Sequence, residues 1–258
     1  MLKKLMKYEF KATGRVFLPL FGALLLISIL SRIFIELNLS MPQALGITVS
    51  VILIIGLLVI TFILTLQRFY KNLLEKEGYL MHTIPVKTES LIFSKLFAAS
   101  IWQVLSLIVV IVAILILALS GFSLADLFRG IKQVLALIGA PTYQVVLVIV
   151  EALVVAVAAL FSSILSLYMC MSFGLMFNKH RGIICFGFYV GLSFVTQSIA
   201  SIITLIAGLM DFGPWFMNLT VFGMIQVGVI AGFVSSAVLG IVYFLVTKFM
   251  LSKRLNME

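Results

Sequence analysis

Residues 45–67, LGITVSVILIIGLLVITFILTLQ, run for 23 positions without a charged side chain. Crossing about 30 Å of hydrocarbon takes about 20 apolar residues at about 1.5 Å each, so this stretch is long enough to span a bilayer as a helix. It does not alternate apolar with polar at every second position, as a strand of a membrane barrel must. Five further stretches read the same way: residues 16–37, 97–119, 144–170, 183–210 and 221–247. The sequence therefore predicts an all-α polytopic membrane protein, one transmembrane domain over residues 1–258 with six transmembrane helices.

Composition agrees. The 258 residues are 63% hydrophobic and 10% charged, against a charged share of about 25% in soluble domains. Too little polar surface is present to cover a water-soluble globule, which excludes that class. The 18 Lys and Arg exceed the 9 Asp and Glu, for a net charge of +9. In a soluble chain such an excess would point to nucleic acid; its placement here points elsewhere. Lys3, Lys4, Lys7, Lys11 and Arg15 precede the first span, and Arg68, Lys71, Lys76, Lys87 and Lys95 separate the second from the third. Lys179 and Arg181 follow the fourth span, and Lys248, Lys253 and Arg254 follow the sixth. Only Arg129 and Lys132 lie in connections on the opposite side. By the positive-inside rule both termini are cytoplasmic, in a multi-pass protein of the plasma membrane with no call for nucleic acid as a partner.

On a helical projection of residues 2–15, Lys3, Lys4, Lys7, Lys11 and Arg15 share one arc and Leu2, Leu5, Met6, Phe10 and Ala12 the other. This predicts an interfacial elbow helix over residues 1–15, its lysines at anionic headgroups of the bilayer. Gly14 and Pro19 would then let the chain turn upright. Glu9 falls within the apolar arc, where it either pairs with a basic group beneath or extends to the edge of the helix. The apolar run that follows is too long for a signal peptide and lacks a small-x-small cleavage site, so it reads as a retained first helix.

The connection over residues 68–95, RFYKNLLEKEGYLMHTIPVKTESLIFSK, mixes charge with large apolar side chains. A helix continuing from the second span should end near Gly78. Thr88 and Glu89 should open a new helix that rises into the third span. Between them Tyr79, Leu80, Met81, Ile84 and Val86, broken by Pro85, form an apolar knob rimmed by Lys71, Glu75, Lys76, Glu77, His82 and Lys87. Two uses fit it: packing on the protein's own surface, or docking a soluble partner. On the other side, residues 120–143 contain an amphipathic segment, with Ser123 and Asp126 placed as a short capping box and Leu124, Leu127, Phe128, Ile131, Leu135 and Ile138 on one face. Residues 211–216, DFGPWF, form a short outer loop with Trp215 suited to headgroup level, and two courses are open to it: along the surface or back into the membrane.

Charge within a span is costly and marks function or a structural pair. Arg32 and Glu36, four apart, fit a pair on one helix. Glu151 stands by itself in the fourth span. It could bind a cation, relay a proton, neutralise a basic substrate, or hydrogen-bond a neighbouring helix. Cys170 and Cys185 fall near the predicted cytoplasmic side, where reducing conditions disfavour a disulfide. The pairs Gly187/Gly191 and Gly228/Gly232 have the spacing that lets membrane helices approach closely. Enzyme motifs are missing. His82 and His180 have no companion ligand at metal spacing, so no metal site is expected, and no G-x-x-x-x-G-K-[ST] phosphate loop occurs. Catalytic residues are not expected on this chain.

The N-terminal MLKKLMKYEFKATGRVF, the six spans, the loop GYLMHTIPVKTESLIFSKL and the stretch YMCMSFGLMFNKHR over 168–181 together resemble the membrane subunits of ABC-2 type transporters, in particular short bacterial permeases. The resemblance covers the whole chain in layout. It implies that the first cytoplasmic loop is a coupling helix seated in a cleft of a separate ABC ATPase subunit, with contacts at Tyr79, Leu80, Met81, His82, Ile84, Pro85 and Val86 and at Glu75 and Glu77. It implies a second permease chain, identical or paralogous, and no cofactor on this chain, with ATP and Mg held by the partner. The function so implied is the permease subunit of an exporter. The alternative is a stand-alone secondary transporter or channel coupled to ions or protons through Glu151.

Overall fold

The computed structural model describes residues 2–71, 88–118, 129–130, 133, 141–174, 176–177, 181–209 and 219–253. Six long helices account for nearly all of them: α1 (Leu2–Glu36), α2 (Ser40–Phe69), α3 (Thr88–Ala118), α4 (Thr142–Gly174), α5 (Arg181–Leu209) and α6 (Val221–Lys253). No strand occurs among the described residues. Each helix is long and apolar enough to cross a membrane, and each covers one of the six apolar runs read from sequence to within one residue. Two compact units divide the chain, α1–α3 and α4–α6.

Within the first unit, α1 and α2 form a tight hairpin. Asn38 takes a left-handed conformation (φ 56°), Leu39 N–H donates to Phe34 O at 3.2 Å and Asn38 N–H to Ile35 O at 3.1 Å. This is the Schellman closure of a helix, with asparagine where glycine is usual. Pro42 then falls in the first turn of α2, where its missing N–H breaks no helical bond. Ser31 and Ser50 meet across the hairpin at 3.4 Å. A Cβ on Gly46 would lie 2.6 Å from Ser31 Oγ and 3.2 Å from its Cα, so only glycine allows this approach.

The third helix runs parallel to α1. Phe17, Phe21, Leu24, Leu57, Trp102, Val110 and Ala113 make the core, with the Trp102 ring stacked on Phe17 at 4.9 Å and 13°. Thr61 and Ser106 hydroxyls join α2 to α3 at 3.0 Å. Lipid tails are as apolar as these side chains, so close packing and such interhelical hydrogen bonds hold the helices together rather than expulsion from water.

The turn anticipated at Gly14 and Pro19 is absent, and α1 continues through both residues. Gly14 serves packing: a Cβ there would touch the Trp102 ring at 3.4 Å. Phe10, one turn earlier, also meets that ring, at 6.0 Å between centroids. The stretch read from sequence as an elbow is thus held lengthwise along α3 from Glu9 to Phe17.

In the second unit α4 and α6 run parallel in extensive contact, and α5 packs antiparallel on α4. Ser162 Oγ donates to the Ser236 carbonyl across α4 and α6. A Cβ on Gly240 would fall 2.8 Å from that Oγ, and one on Gly232 3.4 Å from Val155. Phe173 stacks on Phe188 at 4.4 Å to fix α5. Gly187, Gly191 and Gly228 face open space, so of the two glycine pairs only Gly232 serves a helix contact here. Cys170 and Cys185 are both free thiols.

Candidate functional site

The end of the first unit where α1 begins carries a cluster of buried charge. Glu9, on the apolar arc of α1, is 8% exposed, and Lys95, in the second turn of α3, is 4% exposed. Lys95 Nζ donates to Glu9 Oε1, and Arg68 Nη1, in the last turn of α2, lies 3.9 Å from Glu9 Oε2. One carboxylate on α1 thus gathers cations from both helix ends that bracket residues 72–87. Of the two fates open to Glu9 from sequence, pairing with a basic group beneath is the one observed.

Lys95 and Arg68 had counted among the charges of a cytoplasmic connection. Both ends of the 68–95 stretch prove helical, and burial removes Lys95 from any role at a headgroup or in water. Such a pair adds little net stability over an apolar equivalent, because desolvation offsets the attraction. Losing one member leaves an uncompensated charge, which costs about 3–5 kcal/mol. The cluster therefore specifies which faces of α1, α2 and α3 meet. α3 begins at Thr88 with Glu89 in its first turn, where the sequence placed a new helix. The residues expected from sequence to contact a partner, Glu75, Glu77, Tyr79, Leu80, Met81, His82, Ile84, Pro85 and Val86, lie outside the described residues. So do His180, residues 211–216 and nearly all of residues 120–140.

The second polar feature belongs to α4 and α6. Glu151 is half-buried, and Gln226 Nε2 donates to its Oε2 at 2.8 Å. A carboxylate at membrane depth costs at least about 2.5 kcal/mol, and a hydrogen bond to a charged group returns about 1.5–3 kcal/mol. The two magnitudes are comparable, so the amide offsets much of the cost without supplying a countercharge. Sequence alone does not mark Gln226; its signal is the one amide in a mostly apolar span, 75 positions from its partner. An open, almost wholly apolar groove of about 610 Å³ adjoins Glu151 and is lined by Tyr143, Val146, Leu147 and Val150. Arg32 and Glu36 pair within α1 at 3.0 Å, both well exposed, and need no further role. No group of three or more His, Cys, Asp or Glu suited to a metal occurs among the described residues.

Comparison of the chain with protein-family models, with curated proteins and with solved structures finds no match.

Proposed function

We propose that the chain is the permease subunit of an ATP-binding cassette exporter, with residues 72–87 facing the cytoplasm and docking a separate ATPase. The observation that supports this most is the Glu9–Lys95–Arg68 cluster. A stroke delivered to a loop moves a membrane bundle only if the helices flanking that loop are joined to each other and to the bundle. Here α2 and α3, which flank the loop, share one buried carboxylate on α1, so a push on the loop reaches all three helices together. The apolar knob over 79–86 supplies the docking surface in this scheme, its buried centre giving affinity and its charged rim orientation. Two such chains, identical or paralogous, would complete the pathway.

The test is association. The chain should co-purify with an ATPase bearing a phosphate-binding loop, and the triple substitution Y79D/M81D/I84D should abolish that association while membrane insertion persists. Undiminished association in the triple variant refutes the docking assignment. The stand-alone transporter reading draws on Glu151, which has a neutral partner and, among the described residues, no paired cation. Ion-gradient-driven transport by the purified chain alone in liposomes, lost in E151Q, would establish it in place of the permease.

A further inference from the structure

The candidate spans of the α4–α6 unit contain two charged side chains, Glu151 and Lys248. They are far apart. Because α4 and α6 run parallel and Glu151 sits beside Gln226, Lys248 lies 22 positions further along α6, about 33 Å away along the axis. Gln226 engages Oε2 and offers only a neutral dipole, and Oε1 has no hydrogen bond among the described residues. The unit's own spans therefore place no countercharge beside this carboxylate.

Beside Glu151, α4 turns an apolar face to the groove: Val146, Leu147 and Val150 lie along it, with the Tyr143 ring at the end remote from the carboxylate. An inorganic cation would need several oxygen ligands, and the surroundings are hydrocarbon. An organic cation needs one countercharge and apolar contact for its body, which is what the groove provides. We propose that this groove binds a membrane-partitioned amphipathic cation, its charged centre against Glu151 and its apolar body along Val146, Leu147 and Val150. The proposal deepens the permease reading by naming a substrate class, and rests on that reading for transport but not for binding.

Binding is measured on the full chain alone, in phosphatidylcholine nanodiscs, with tritiated tetraphenylphosphonium as probe. Saturable binding is expected, displaced by dodecyltrimethylammonium and not by dodecyl maltoside or dodecyl sulfate. Glu151→Gln keeps the side-chain size and a partner for Gln226; it should weaken binding at least about tenfold, equivalent to about 1.4 kcal/mol. Val146→Trp fills the groove without altering charge and should weaken binding comparably. Circular dichroism and gel filtration check the fold of each variant, and either variant suffices if the other misfolds. Absence of saturable binding, equal displacement by the neutral amphiphile, or unchanged affinity in a folded variant overturns the proposal. Because no ATPase is present, failure here leaves the docking of residues 72–87 standing, and failure of docking leaves this measurement untouched.

Discussion

Removing the Glu9 carboxylate would take from Lys95, 4% exposed, the carboxylate to which its ammonium donates. Glu9→Gln should therefore cost about 3–5 kcal/mol, read as a lowered midpoint of thermal unfolding in detergent. The double substitution E9L/K95L should recover much of that loss, since an apolar pair of similar volume fills the same space without charge. If the double variant is no more stable than E9Q, the loss does not come from the charge left buried at Lys95. The presence of Glu9 on an apolar arc was legible in the sequence, but its partners were not. Lys95 lies 86 positions away, and nothing in either local pattern says which faces of two helices will touch. Gln226 escaped notice for the same reason, since an amide shows no function until the carboxylate opposite it is known.

At the scale of helices, the spans could be read because apolar length is a one-dimensional property. Their ends were harder. The α1–α2 turn occupies only three residues, because Asn38 accepts the left-handed backbone and Pro42 is harmless in a first turn; from sequence, residues 38–44 all looked like loop. Gly14 and Pro19 suggested a break, yet α1 continues through both, and Gly14 lies against the Trp102 ring. Glycine spacing also misled, since Gly46 and Gly240 make the close approaches against serines, outside the G-x-x-x-G pairs. Gly240→Ala should lower stability by about 1–3 kcal/mol through overpacking on Ser162, whose hydroxyl is committed to Ser236. Gly191→Ala, with open space around it, should be neutral or slightly stabilising through helix propensity. Unfolding of both variants in detergent checks the contrast, and equal losses would show that space at these positions does not govern stability.

For the whole molecule, the charge asymmetry of the sequence makes a prediction about sidedness. In a C170S/C185S background, a cysteine introduced as S123C should react with a membrane-impermeant maleimide in intact cells, and one introduced as N256C only after permeabilisation. The reverse pattern would invert the topology and remove residues 72–87 from reach of any cytoplasmic ATPase. The helices also differ in burial: α5 has no buried residue within its most apolar stretch, whereas about a fifth of the corresponding stretches of α1 and α3 is buried.

The tie between Glu9 and Lys95 also bears on synthesis. At about 5–20 residues per second, the 86 positions between them take about 4–17 s to translate. For that interval the first helix carries an acidic side chain whose lysine has not yet been made, and Arg68 is the earlier of the two cations to arrive. A ribosome stalled before residue 95 would thus hold a nascent first helix that lacks its lasting countercharge, and the arrival of the third span is the event that closes the α1–α3 unit.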